Sequence, residues 1–109
     1  MKISELVSAL GLQVLQGDYT DGDVKAAYTS DLLSDIMGNA PDECVIITIQ
    51  AHKNTVAVAT LKDSPAIIVC NSRPVPQDML DTAAAEHIAV FESKENQFTV
   101  SGKLYTELA

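Results

Sequence analysis

Basic residues are scarce in this chain of 109 residues. Lysine and arginine together number 7, against 15 aspartates and glutamates, so the formal net charge at neutral pH is −8. Binding to nucleic acid requires clustered Lys and Arg that neutralise phosphates, and the basic residues here are scattered along the sequence. The same negative charge disfavours binding to an anionic membrane surface. We therefore predict that the protein binds neither nucleic acid nor membrane.

Long apolar runs are also absent. The longest, such as 45–49 and 66–70, have the length of a β-strand and fall far short of the roughly 20 residues that span a bilayer. Near the N-terminus, Glu5 stands where a secretory signal would have its apolar centre, so we expect a cytoplasmic protein. With 47% hydrophobic and 20% charged residues, the composition is that of a globular protein. Residues 1–109 are expected to form a single domain.

The sequence has few residues that could bind a metal. Its two cysteines, Cys44 and Cys70, border or lie within apolar runs and belong to no CxxC pair. His52 and His87 are far apart in the sequence, and neither is four residues from another residue of a metal-binding type. We expect buried free thiols and predict no metal site and no cofactor.

Motifs for catalysis or phosphate binding are incomplete as well. The aspartates of 17–23 lack the glycine at the sixth position and the glutamate at the twelfth position of a calcium-binding loop. The Ser-Gly-Lys of 101–103 lacks the leading glycine of a phosphate-binding loop, and no serine occupies a nucleophile elbow. We therefore assign no catalytic residue and predict that the protein is not an enzyme.

Two kinds of hydrophobic periodicity alternate along the chain. Helical spacing and helix-ending residues predict five helices, whereas short β-branched or alternating runs predict five strands. Asn54 or Thr55 is expected to cap the third helix, and Pro76 suits the first turn of the fourth helix. The predicted helices cover about 3–10, 30–39, 54–63, 76–87 and 96–108, and the predicted strands 12–17, 23–29, 43–49, 66–70 and 88–91.

This alternation predicts an α/β fold. Parallel strands joined by right-handed crossover helices give a layered structure with helices flanking a sheet of about five strands. The first two predicted strands are too close in sequence for a crossover helix. They would form a hairpin or an edge, so that the mostly parallel sheet would be mixed.

From about Tyr28 onward the sequence resembles the DRTGG domain family. The most characteristic pieces are "SDLLSD", "ITIQ", "VAVATLKD" and "GKLY". The resemblance implies a fold similar to the N-terminal domain of HPr kinase/phosphorylase. It also implies a non-catalytic regulatory module, because this family occurs alone in small proteins or fused to CBS domains in regulated pyrophosphatases and to some phosphotransacetylases. A homodimer and a partner enzyme are further implications.

The chain departs from the two signatures that give the family its name. Residues 51–54, "AHKN", stand where the resemblance would place an Asp-Arg pair, and residues 70–72, "CNS", stand in place of Thr-Gly-Gly. These replacements affect any ligand shared with other members of the family. The core pattern on which the fold prediction rests is unaffected.

Polar residues follow the predicted parallel strands, where ligands of α/β proteins bind. Asn71, Ser72 and Arg73, which is the only arginine, precede the predicted helix at Pro76. Free backbone N–H groups there could accept an anion, and Arg73 could bind the anion through its guanidinium group. His52 and Asn54 follow the preceding strand and are weaker candidates. The competing interpretation pairs Arg73 with a surface carboxylate and leaves Asn71 and Ser72 to end a strand.

Two functions remain open from the sequence. One is a regulatory module that binds a small anion or a nucleotide-like ligand at the strand-end loops. The alternative is a protein-interaction module, for dimerisation or as an adaptor, without a small-molecule ligand. The resemblance to the DRTGG family fits both functions.

Overall fold

The computed structural model describes all 109 residues and contains the five predicted helices and the five predicted strands. The helices are α1 (Glu5–Leu10), α2 (Leu33–Asn39), α3 (Lys53–Leu61), α4 (Gln77–Ala85) and α5 (Gln97–Leu108), and the strands are β1 (Gln13–Gln16), β2 (Ala26–Thr29), β3 (Cys44–Thr48), β4 (Ala66–Val69) and β5 (Ala89–Glu92). None of the helices combines the length and the apolar character needed to cross a membrane.

The strands form one mixed sheet in the order β1-β5-β4-β3-β2. Strands β2, β3, β4 and β5 are parallel, and β1 pairs with β5 in the antiparallel direction. The prediction of a mixed, five-stranded α/β sheet flanked by helices is confirmed. Of the two alternatives for β1 and β2, the hairpin is wrong and the edge position is confirmed, because the two strands occupy opposite edges of the sheet.

The segment 17–25 explains how neighbours in sequence become distant in the sheet. It runs beside the N-terminus of the chain, where Lys2 and Asp23 form an isolated antiparallel bridge. The Ile3 N–H donates to the Gly22 carbonyl at 2.8 Å, and the Val24 N–H donates to the Met1 carbonyl at 2.8 Å. These contacts to residues 1–3 replace the pairing that a hairpin would have supplied.

Each face of the sheet is covered by its own set of helices. Successive residues of a strand point to opposite faces, so the fully buried β3 and β4 contribute to two cores. One core contains the buried residues of α1 and α5 and the other those of α2, α3 and α4. Helices α2, α3 and α4 share a face because the crossovers from β2 to β5 all step in the same direction and have one hand.

Helix α2 begins later than the sequence indicates. The sequence predicts Ser30 or Asp31 as the capping residue, but the residue before the first helical turn is Leu32, and no side chain caps the helix there. The Leu32 N–H donates instead to the Ser30 Oγ at 3.1 Å, which forms a side-chain turn ahead of the helix. The polar residues of 30–32 therefore belong to the connection that follows β2.

Candidate functional site

Four connections meet along one edge of the sheet. Because β2, β3, β4 and β5 are parallel, the segments that follow their carboxyl ends emerge on the same side of the molecule. We call this the carboxyl edge, and it comprises residues 30–32, 49–52, 70–76 and 93–96 with the first turns of the helices that follow. The structure therefore brings residues 50–54 and 71–73 to a common edge, on connections that follow neighbouring strands.

The path of the chain diverges between β4 and β5. The connection after β4 leads to α4 on one face of the sheet, and the connection after β5 leads to α5 on the other face. Such a divergence opens a crevice for ligands in many α/β proteins. Here the two connections bond to each other: the Asn71 N–H donates to the Glu95 carbonyl at 2.9 Å and the Ser72 N–H donates to the Ser93 carbonyl at 3.0 Å. These bonds bridge the crevice.

Asn71 and Ser72 have positive φ angles of 64° and 50°. Two consecutive residues in this region are uncommon outside glycine and cost of order 1–3 kcal/mol each. The bonds to the connection after β5 hold the turn in place. They also use the N–H groups of Asn71 and Ser72, and the Arg73 N–H donates to the Cys70 carbonyl at 3.4 Å. The N–H groups of residues 71–73 are therefore not free to bind an anion.

Helix α4 starts one residue later than its sequence indicates. Pro76 is the residue that precedes the helix, with an extended backbone, and does not lie in the first turn. Pro76 offers no capping side chain, so the N–H groups of Gln77 and Asp78 make no hydrogen bond within the protein. The free N–H donors at the start of α4 are therefore those of Gln77 and Asp78, which follow Pro76, and not those of the residues before it.

His52 and Asn54 lie at the start of α3. The Nδ1 atom of His52 accepts a hydrogen bond from the Asn54 N–H at 3.0 Å, which makes His52 the capping residue in place of Asn54 or Thr55. The Thr55 hydroxyl instead donates to the Gln50 carbonyl at 2.8 Å. His52 therefore has a structural part in α3, and the bond to Nδ1 places the proton of the neutral ring on Nε2.

The basic residues divide sharply by their ion pairs. Lys2, Lys25, Lys62 and Lys103 each contact a carboxylate. The three others, Lys53, Arg73 and Lys94, form no ion pair and are all exposed. Each of these three follows a different strand among β3, β4 and β5, so all three lie at the carboxyl edge. The surface pairing of Arg73 considered from the sequence is not found.

The carboxyl edge also carries acidic residues, including Asp31, Asp78 and Glu95. Glu95 is neutralised by Lys103, whose Nζ lies 2.6 Å from the Glu95 Oε1. At the opposite end of the parallel strands, Lys2, Lys25 and Lys62 each pair with a carboxylate. The Lys and Arg side chains that form no ion pair therefore all lie at the carboxyl edge of this acidic protein.

A polar cavity of about 490 Å³ adjoins the last of the four connections. It lies between the C-terminal end of α1 and the start of the connection to α5, and Ser93, Lys94 and Lys103 are among its lining residues. None of the predicted residues His52, Asn54, Asn71, Ser72 and Arg73 lines this cavity or the other two cavities of the molecule. They lie on open surface.

The Cys70 thiol and the Gln97 side-chain oxygen are buried near the carboxyl edge. Burial raises the pKa of the Cys70 thiol to about 11, so this thiol stays protonated at neutral pH. Cys44 and Cys70 are free and buried, as the sequence predicts. Gln97, the first residue of α5, has a buried Oε1 atom without a hydrogen-bond partner. No group of three or more His, Cys, Asp or Glu side chains is arranged to hold a metal ion.

Sequence reasoning missed Lys53 and Lys94. Both residues stand in the polar stretches after buried strands, so their placement at the carboxyl edge follows from the same pattern that singled out Arg73. Their lack of ion pairs does not follow from the sequence, because the other four lysines find carboxylates that are mostly distant in the chain. Only the three-dimensional structure shows which basic side chains form ion pairs and which do not.

Comparison with known proteins identifies the fold but no family. No family model matches the sequence, and no curated protein matches it. The fold resembles the crystal structure of the CBS and DRTGG domains of the regulatory region of a Clostridium perfringens pyrophosphatase, complexed with its activator diadenosine tetraphosphate. The TM-score is 0.74 at 12% sequence identity, and the match covers 94% of this chain and 45% of that chain. The chain thus spans less than half of that structure, and the prediction of a DRTGG-like fold is confirmed at the level of the fold.

Proposed function

We propose that this protein is a non-catalytic regulatory module that binds a small anionic or nucleotide-like ligand at its carboxyl edge. Three exposed cations without ion pairs, Lys53, Arg73 and Lys94, carry the proposal because they lie on the connections after three adjacent strands. A phosphate-bearing ligand would supply the negative charge that no carboxylate of the protein supplies to them.

The ligand would contact side chains more than backbone. The N–H groups of 71–73 are engaged within the protein, so Arg73 would bind through its guanidinium fork. Gln77 and Asp78 offer free N–H groups at the positive end of the α4 dipole. His52 and Asn54 would contribute from the start of α3, and the side chains of Asn71 and Ser72 from the turn after β4. Lys53, Arg73 and Lys94 would bind the negative charge of the ligand.

The structural likeness supports a regulatory role in preference to a catalytic one. The pyrophosphatase structure of similar fold is a regulatory region and was complexed with a nucleotide activator. We propose a comparable division of labour here: one domain over residues 1–109, located in the cytoplasm, acting as a homodimer on a partner enzyme. The relation to the N-terminal domain of HPr kinase/phosphorylase remains part of this proposal.

The proposal is tested by thermal unfolding with a panel of pyrophosphate, AMP, ADP, ATP and diadenosine tetraphosphate. A ligand at a hundredfold excess over its dissociation constant stabilises the folded state by about 2.7 kcal/mol. For a domain of this size that raises the melting temperature by on the order of 10 °C. Arg73→Ala should remove most of the rise for the same ligand while leaving the ligand-free melting temperature unchanged, because Arg73 makes no ion pair.

Lys25→Ala is the matched control. It also removes one positive charge, but Lys25 pairs with Glu43 at the opposite edge of the sheet, at 3.0 Å. The control should keep the full ligand response. No stabilisation by any member of the panel, or equal losses in Arg73→Ala and Lys25→Ala, would contradict binding at the carboxyl edge.

A further inference from the structure

Helix α5 presents an unpartnered apolar stripe to solvent. Phe98, Tyr105 and Leu108 recur at helical spacing, and their exposed fractions are 87%, 76% and 40%. Val100 and Leu104 on the other side of the helix are buried against the sheet. Phe98 is the most exposed of the large apolar side chains, so it projects from the surface as a knob.

The same helix borders a hole that suits this knob. An apolar cavity of about 460 Å³ lies between the C-terminal half of α5 and strands β2 and β3. Its walls include Ile47, Leu104, Tyr105 and Leu108. An apolar cavity of roughly 150 Å³ already accommodates a benzene ring. The hole is therefore large enough for a phenyl side chain.

Phe98 lies in the first turn of α5 and the cavity borders the rest of the helix, an arrangement that allows a two-fold contact. In a two-fold contact the same surface serves both copies, and each copy's knob must find the other copy's hole. An antiparallel pair of α5 helices that cross between Ser101 and Gly102 places Phe98 of one copy beside Tyr105 of the other. The distance from Phe98 to Tyr105 along the axis is about 10 Å at 1.5 Å per residue.

The open surface at the middle of the stripe and its lack of charged residues both fit a helix crossing at this point. A Cβ added at Gly102 would have nothing within 4 Å, so the helix surface there is open to a close neighbour. The stripe contains no charged residue, and Lys103 turns away from it to pair with Glu95. Two copies with a net charge of −8 each repel one another over most of their surface. An uncharged face is where they can meet.

We infer that two copies of the chain associate through antiparallel α5 helices, with Phe98 of each copy inserted into the partner's cavity beside Tyr105. The inference deepens the homodimer of the proposed function by assigning its surface. Ligand binding at the carboxyl edge does not depend on it.

Sedimentation velocity over a range of protein concentrations tests the inference. We expect a dimer for the unaltered chain, at least a tenfold weaker dimer for Phe98→Ala, and a monomer for Phe98→Glu. Leu61→Glu is the matched control, because Leu61 is also an exposed apolar side chain, at 69%, but lies at the end of α3. It should remain dimeric. Because both side chains are exposed, circular dichroism should show folded protein for all variants.

A charge exchange tests the antiparallel geometry. In the inferred pair, position 98 of one copy faces position 105 of the other. Phe98→Glu and Tyr105→Lys should each be monomeric alone and should form a heterodimer when mixed. A dimer that persists in Phe98→Glu would overturn this surface while leaving a homodimer through another face. A monomeric unaltered chain at every concentration would overturn the homodimer itself, and neither result bears on the ligand-stabilisation experiment.

Discussion

The chain has two phenylalanines, and their environments are opposite. Phe91 in β5 is fully buried in the core shared by α1 and α5, and its ring meets that of Tyr19 edge-on at 6.0 Å between centroids. Phe98 is 87% exposed. Burial of an aromatic ring contributes to the free energy of unfolding through removed apolar surface and close packing. The same residue type thus has a structural role in β5 and an interaction role in α5.

Phe91→Ala should lower the free energy of unfolding by about 3–5 kcal/mol, because it leaves a cavity in a packed core. Phe98→Ala should change it by no more than about 0.5 kcal/mol. Urea unfolding measures both, at a protein concentration low enough for the chain to be monomeric. Similar losses in the two variants would contradict the packing of Phe91 in the core between the sheet and helices α1 and α5.

The sequence predicts residue burial better than residue partners. Cys44 and Cys70 are buried as their apolar neighbours indicate, because burial depends on local hydrophobicity. The N–H groups of Asn71 and Ser72, which precede Arg73, are occupied by the carbonyls of residues 95 and 93. Partners of this kind come from distant parts of the chain and cannot be predicted from local pattern.

At the scale of elements, the connection from β1 to β2 departs most from expectation. The spacing of the two strands allowed a hairpin, yet residues 21–24 bond to residues 1–4 and β2 lies at the opposite edge of the sheet from β1. Ser4 is the main side-chain anchor, with its Oγ donating to the Asp21 Oδ2 at 2.5 Å and its N–H donating to the Asp21 Oδ1 at 3.0 Å. The other helices and strands occur in the order that the sequence patterns predict.

The Ser4–Asp21 contact should make stability depend on acid. Hydrogen bonds from the Ser4 side chain and N–H lower the pKa of Asp21. The unfolded state then binds more protons than the folded state between the two pKa values. The resulting stabilisation is complete above the unfolded pKa and is lost as pH falls through the lower folded pKa.

We therefore expect the melting temperature of Asp21→Asn to fall by less than that of the unaltered chain when the pH is lowered from roughly 5 to roughly 2.5. Asp31→Asn is the control, since the Asp31 side chain makes no hydrogen bond or ion pair. It should follow the acid response of the unaltered chain. An unchanged acid response in Asp21→Asn would show that this anchor does not contribute to folding.

For the whole molecule, the direction of the crossovers determines at which edge of the sheet a ligand site can form. Four parallel strands bring four polar connections to one edge, and this much follows from the alternation of helices and strands in the sequence. The hydrogen bonds between the connections after β4 and β5, and the ion pairs that leave Lys53, Arg73 and Lys94 free, depend on the folded arrangement. The carboxyl edge was therefore predictable, but its free cations were not.

The central claim is that an anionic ligand binds at the carboxyl edge, and the most direct test is a nuclear magnetic resonance titration of the ¹⁵N-labelled protein with each phosphate compound of the panel. We predict that saturable shifts of backbone amides concentrate at residues 52–54, 71–78 and 93–97. Amides at the opposite edge, such as those of residues 42–43 and 62–64, should stay in place. Shifts confined to the opposite edge, or no saturable shift with any compound, would contradict the claim.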